Sequence, residues 1–207
     1  MKVLRLKPGK ERSLQRRHPW IFEAAIAKGG GDAGETVRVE SHDGQFLAWA
    51  AVSPASKIRA RAWSFDVAQR IDAAFLAARV QTAVDARARF DLRSDGVRLV
   101  HGEADGLPGL IVDRYQSAPG APVTDQIVCQ FMAAGVEAWK DAITRALTGA
   151  TGCPNVYERS DAAVREREGL PSITGVLAGA EPPEAPDLLT TYECGVKYYV
   201  DVRNGHK

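Results

Sequence analysis

"KIRARAWSFDVAQRIDAAFLAARVQTAVDARAR", residues 57–89, changes its period halfway along, and that change decides how the chain divides. At its start Ile58, Ala60 and Ala62 alternate with Arg59 and Arg61, the two-residue repeat of a strand with one apolar and one basic face. Further on, Leu76, Val80, Ala83, Val84 and Ala88 recur at the spacing of one helical face, which predicts a helix from about Arg70 to Arg89. Asp66, with Gln69 three positions later, has the form of a capping box at that helix's start. A domain boundary is expected near residues 68–72.

On the N-terminal side the pattern is one of short strands between turns. "KVLRL", "ETVRVES" and "QFLAWAAV" read as strands, and Asp43-Gly44 between the last two is a hairpin-type turn. Four or five such strands before the boundary predict a small barrel or sandwich. On the C-terminal side the periods alternate. "VRLVHGE", "LPGLIVDRY", "DQIVCQF" and "NVYERS" read as strands, and Val136, Trp139, Ile143, Ala146 and Leu147 recur at helical spacing. A short helical segment is expected in "DAAVREREGL". "AGAEPPEAPD" carries three prolines and reads as a rigid linker, and "LLTTYECGVKYYVDV" as a hairpin turning at Gly195. The fold class is thus α+β and multidomain, a β-barrel-like front followed by a central α/β unit.

Charge divides along the same line. Residues 1–79 hold 14 Lys and Arg against 8 Asp and Glu, whereas residues 80–207 hold 13 against 18. A basic front on an acidic remainder suits a polyanionic partner, most simply nucleic acid. The chain is 45% apolar and 26% charged, an ordinary globular composition. It has no apolar run of membrane-spanning length, and no apolar core follows its basic N-terminus as in a secretory signal. A cytoplasmic protein without a membrane partner is expected. Cys129, Cys153 and Cys194 are widely spaced and read as reduced, buried thiols rather than a disulfide frame or a metal site.

Two stretches concentrate charge. "KPGKERSLQRRHPWIF" sets Lys10, Arg12, Arg16 and Arg17 beside the flat rings of His18 and Trp20. Cations meet phosphates and rings meet unstacked bases, so with Arg59 and Arg61 these residues form the expected RNA face. "YERSDAAVREREGL" alternates Arg159, Asp161, Arg165, Glu166, Arg167 and Glu168, which reads as a solvated, ion-paired surface. In "HGEADGLPGLIVDRY" the carboxylates Glu103, Asp105 and Asp113 admit an acid/base or hydrolytic reading. The turn chemistry of Asp105-Gly106 and Pro108-Gly109 instead places them at a reversal in water. No GxxxxGK[ST] loop occurs, and no GxGxxG run leads from a strand into a helix, so nothing here reads as a nucleotide cradle.

The runs "RRHPWIF", "SPASKIRARAW", "RLVHGEADGLPGLIVDRY", "YERSDAAVREREGL" and "GVKYYVDVRNGHK", in this order, resemble a family of bacterial ribosomal RNA methyltransferases. These enzymes use S-adenosylmethionine to methylate carbon 5 of a cytosine in 23S rRNA. The resemblance implies a PUA-type RNA-binding domain over residues 1–70 and a central α/β domain over 71–188. Residues 189–207 would begin the hairpin that leads into a Rossmann-like methyltransferase domain, itself missing from this chain. It also implies that no catalytic residue lies in this chain and that the cysteine nucleophile has no counterpart here. His206 and Lys207 would border the cofactor pocket. The fragment alone is expected to bind 23S rRNA without binding S-adenosylmethionine or transferring methyl. The alternatives are a naturally short PUA-type RNA-binding protein, and a scaffold half acting as a homodimer.

Overall fold

A computed structural model describes residues 1–90, 93–116, 125–184 and 188–205. The front of the chain supplies β1 (Val3–Leu6), α1 (Arg12–Gln15), β2 (Trp20–Phe22), β3 (Ile26–Gly29), β4 (Thr36–Glu40), β5 (Phe46–Val52) and β6 (Ile58–Ser64). These strands form one sheet in the order β2-β6-β5-β4-β1-β3, antiparallel except for the β1–β4 pair. Two of them, β2 and β3, are only three and four residues long, too short for an alternating pattern to show in the sequence. Leu4, Leu6, Leu14, Ile21, Val37, Val39, Ala48, Ala50, Val52, Ala60 and Ala62 close over the core of this sheet.

The helix expected next is α2 (Ala73–Ala88), shorter than its sequence pattern at the N-terminal end. Its cap is Asp72, whose carboxylate accepts the Phe75 amide at 3.0 Å. Asp66 instead closes a separate turn by accepting the Ala68 amide. The capping-box reading therefore placed the start one turn early, because both aspartates satisfy the same local chemistry.

Beyond α2 come β7 (Gly96–His101), β8 (Leu110–Gln116), β9 (Asp125–Phe131), α3 (Ala134–Ala138), α4 (Lys140–Thr151), β10 (Val156–Ser160), α5 (Val164–Arg167) and β11 (Ile173–Ala178). The second sheet has the order β11-β10-β9-β8-β7, with β9 and β10 parallel and the other neighbours antiparallel. Phe75, Leu76 and Val80 of α2 and Ile143 and Leu147 of α4 bury one face of this sheet against Leu99, Val112, Ile127, Cys129 and Phe131. On the other face Val128 and Tyr157 meet Leu189 and Val202. Leu189 belongs to β12 (Leu189–Glu193), which pairs with β13 (Val196–Val200). The loop between them is Cys194-Gly195, with φ of 49° and 83°, as a two-residue hairpin of the primed type requires. Of the three cysteines, Cys129 and Cys153 are buried and Cys194 is exposed at that turn, which corrects the expectation of three buried thiols. Burial pushes the Cys153 thiol up to about 11.

The two sheets share one apolar seam. Ala51 of β5 and Trp63 of β6 pack into the second core rather than the first. Gly135 of α3 makes the approach close: a Cβ there would stand 2.5 Å from the Ala51 Cβ and 3.0 Å from the Trp63 ring. Strand β6 is consequently buried on both faces, and the one-sided alternation read from "KIRARAW" does not hold. No described helix is long and apolar enough to cross a membrane.

Candidate nucleic-acid interface

The stretch around α1 is short and closes on itself. Its C-terminal end is a Schellman motif in which the His18 amide donates to Ser13 O at 2.9 Å and the Arg17 amide to Leu14 O at 2.8 Å. Arg17 therefore sits at φ 60°, where glycine is the usual occupant. The motif throws Arg16, Arg17 and His18 outward together. Lys10, Arg12, Arg16, Arg17 and His18 are all exposed. Among the described residues none of these four cations has a carboxylate partner, because only Leu14 of α1 is buried and no acidic strand faces the helix.

The rings stand beside them. His18 meets Trp20 edge-on with centroids 5.6 Å apart, and Trp20 meets Phe22 the same way at 6.3 Å. The Trp20 amide donates to His18 Nδ1 at 3.2 Å, which fixes the order of the two rings. Lys10, Trp20 and Phe22 share a shallow cavity of about 210 Å³. Trp20 is not simply a base-stacking platform, however. Its indole Nε1 donates to Glu103 Oε1 at 2.7 Å, tying the first sheet to the turn after β7.

The two arginines of β6 depart from the expected face. Arg61 lies opposite Trp20 in the β2–β6 register, but it is 8% exposed and its guanidinium grips Glu168 with two bonds of 2.8 and 2.9 Å. Ser56 donates a third bond to the same carboxylate at 2.6 Å. Buried and saturated, Arg61 cannot meet a phosphate, and it leaves the RNA face. Arg59 is partly exposed, and Glu23 neutralises it at 2.6 Å. His206 and Lys207 lie outside the described residues.

The other charged stretches fold inward. Burial pushes the Glu168 carboxyl up, but Arg61 and Ser56 outweigh it and hold the group below the usual carboxylate range. Arg165 is 1% exposed, donates from Nε to Pro171 O at 2.7 Å, and pairs with Glu137 at 2.9 Å. Lys140 links Glu137 at 2.7 Å to Glu158 at 2.9 Å. Arg159 reaches the carbonyl of Val202 at 2.8 Å. The reading of "YERSDAAVREREGL" as a solvated surface is corrected: its Arg159, Arg165 and Glu168 are interior, each held by partners brought to it from elsewhere in the fold.

The carboxylates of "HGEADGLPGLIVDRY" are likewise engaged rather than bathed in water. Asp105 takes a two-pronged grip from Arg87 at 2.7 Å and accepts the His101 amide at 2.6 Å. Asp113 pairs with Arg98 at 2.8 Å, and Glu103 holds Trp20. Each carboxylate has its own partner, so the three do not converge as a hydrolytic centre. Among the described residues, no group of three or more His, Cys, Asp and Glu side chains is arranged to hold a metal ion.

Sequence reasoning missed Glu137 and Lys140, because their further partners Arg165 and Glu158 lie 28 and 18 residues away. It also missed Arg79, which lies over the Phe75 ring at 5.1 Å. A local signal for that pair existed in their i, i+4 spacing on α2.

Comparison with known proteins supplies the family context. Residues 4–65 match the model of a PUA-like domain. The chain is 44% identical over 98% of its length to a protein named ribosomal RNA large subunit methyltransferase I from Aliivibrio fischeri, covering 49% of that protein. It is 47% identical to the protein of the same name from Vibrio parahaemolyticus, again over 98% of its own length and 49% of the relative's. The chain spans about half the length of the curated relatives it matches. Among solved structures, a chain from Streptococcus mutans assigned as a SAM-dependent methyltransferase superposes with a TM-score of 0.73 at 18% identity. That match covers 96% of this chain and 48% of the other. A second, assigned as a methyltransferase and complexed with SAH, superposes at 0.74 and 19% identity, covering 96% and 47%. At these identities the likeness is one of fold.

Proposed function

Because this chain is related over nearly all of its length to the ribosomal RNA large subunit methyltransferase I proteins, and opens on a PUA-like domain, we propose that it is the RNA-recognising half of such an enzyme. The complete protein would use S-adenosylmethionine to methylate carbon 5 of a cytosine in 23S rRNA in the cytoplasm. Residues 1–70 would be the RNA-binding domain, residues 71–188 a central domain that braces it, and residues 189–207 the start of the hairpin beyond. The observation that carries this reading is the α1 region, where Lys10, Arg12, Arg16 and Arg17 are exposed, lack carboxylate partners among the described residues, and stand beside His18 and Trp20.

Where a strand gives way to a helix, at β9 to α3, the glycine available is Gly135, and Ala51 and Trp63 already fill the space against it. That turn cannot cradle an adenosyl group, and no step of methyl transfer is routed through these residues. What they do is bind and orient. Cations on an exposed helix end draw in the phosphate backbone, and the adjoining rings offer a surface on which an unstacked base can lie. The bonds of Glu168 to Arg61 and of Glu103 to Trp20 hold that surface at a fixed angle to the second sheet. A grip of fixed orientation is what a catalytic half would need to bring one nucleotide to its centre.

The test is an anisotropy titration of the 207-residue chain with a 23S rRNA fragment over a range of salt, beside a methyl-transfer assay. The expected result is salt-sensitive binding without turnover. Replacing Lys10, Arg12 and Arg16 with Gln should lower the log–log salt slope by about three. Turnover by this chain would overturn the division of labour, and a salt slope unchanged in the triple variant would remove α1 from the interface.

A further inference from the structure

A cleft of about 590 Å³ opens where the two sheets meet, within the range of small-ligand sites. Arg17 stands on its first-sheet side and Arg79 of α2 on the other. Arg17 occupies a left-handed backbone position, φ 60°, that a glycine would fill without strain. The Schellman hydrogen bonds of α1 hold it there, so its side chain is kept at the cleft mouth at a cost to the fold. Arg79 is steadied by the Phe75 ring at 5.1 Å and by Gly106, where a Cβ would stand 3.3 Å from Arg79 Nη1. Neither guanidinium has a carboxylate partner among the described residues, whereas Arg5, Arg61, Arg87, Arg98, Arg114 and Arg165 each have one.

Three carboxylates also line the cleft, and two are spoken for. Glu103 accepts the Trp20 indole, and Asp105 is gripped by Arg87. Among the described residues Asp66, which is exposed, accepts the Ala68 amide alone, and the Ser64 hydroxyl beside it accepts the Asp66 amide and donates to no acceptor. Two unneutralised cations with a free acceptor and a free hydroxyl suit a ligand that is anionic at one end and carries mixed donors and acceptors at the other. A bare phosphate would face Asp66; a nucleotide offers its phosphate to the arginines and its base edge to Asp66 and Ser64.

We infer that the junction cleft is a subsite for one unpaired nucleotide of a bound RNA strand, with Arg17 and Arg79 as its phosphate jaws. The inference rests on the RNA-binding reading above and extends it from the exposed α1 face into the space between the sheets. A duplex end cannot enter a cleft of this size, whereas a single strand can place one residue in it.

The experiment titrates the full chain and its variants with a labelled single-stranded RNA and with a blunt RNA hairpin of equal phosphate number. Arg17→Gly is expected to melt at a higher temperature than the parent, because the left-handed strain is relieved. It is also expected to bind the single strand about tenfold more weakly, with a salt slope lower by about one, while hairpin binding changes far less. Arg79→Gln should show the same selective loss without the gain in melting temperature. Single-strand affinity unchanged in both variants, with the Lys10, Arg12 and Arg16 variants still weakened, would overturn the subsite and leave the RNA-binding reading intact. Equal losses on hairpin and single strand would also overturn it, making Arg17 one more cation of the general phosphate face. If the parent chain binds neither RNA, the RNA-binding reading falls and the subsite falls with it.

Discussion

Residues 10–17 and residues 159–168 are both dense in arginine, and the fold treats them in opposite ways. Lys10, Arg12, Arg16 and Arg17 stand in solvent around a one-turn helix, without carboxylate partners among the described residues. Arg159 and Arg165 are buried and bound to carbonyls and carboxylates, with Glu168 beside them held by Arg61. The difference lies in what each stretch is carried against. α1 rests on its own sheet through Leu14 alone and leaves its polar faces to water. The second stretch runs through β10 into the interior, where a charge without a partner would be too costly to keep. One arginine-rich stretch leaves its cations free in solvent, and the other binds its cations within the molecule.

The largest way to break that contrast is to unclamp the second region. Arg61→Ala leaves the Glu168 carboxylate buried without its cation, and chemical denaturation should show a loss of about 3–5 kcal/mol. An unchanged unfolding midpoint would mean the pair is not the clamp described. Acid should act on the same region. In Glu137 and Glu168 burial raises the carboxyl, and the ion pairs outweigh it, so each folded-state value lies below the ordinary 4.5. Asp105 is likewise held below 3.8 by Arg87 and the His101 amide, against the upward pull of burial. A lowered folded value stabilises fully above the unfolded value and is lost as pH falls through the folded one. The melting temperature should therefore hold down to about pH 5 and fall below it, and Glu168→Gln should flatten that fall.

Packing sharpens the comparison at an intermediate scale. Gly135→Ala inserts a methyl where 2.5 Å separates it from Ala51, and about 1–3 kcal/mol of stability should be lost with every charge in place. A neutral result would show that the seam yields and that the ion pairs alone hold the sheets. The smallest effect on stability belongs to the exposed region. Replacing Lys10, Arg12 and Arg16 with Gln should move unfolding by no more than about 0.5 kcal/mol per site while weakening RNA binding. A large loss of stability there would mean that α1 is structural and would erase the contrast.

Much of this arrangement was legible beforehand, and the failures share a cause. The switch of period after β6, the face of α2, the hairpin turn at Gly195 and strands β7 to β10 follow from apolar spacing and turn chemistry, which act over a few residues. The start of α2 was misplaced by one turn because Asp66 and Asp72 both make local caps, and only the path of the chain chooses between them. Arg61 was placed on the RNA face because its strand alternates as an exposed one does. Its carboxylate comes from 107 residues away, and no window around residue 61 contains it. The same holds for Trp20, read among the RNA-face rings, whose indole is committed to Glu103 some 83 residues on.

By itself the sequence determined most of the elements, the basic front, the change of period after β6 and the stretch that carries exposed cations, since periodicity, turn residues and local charge are properties of neighbours. The tertiary structure decided which charges remain free. It buried β6 on both faces, turned Arg159, Arg165 and Glu168 inward and brought Arg17 to the same cleft as Arg79. A guanidinium binds something outside the molecule only when no carboxylate inside can reach it, and that reach is measured through space, not along the chain.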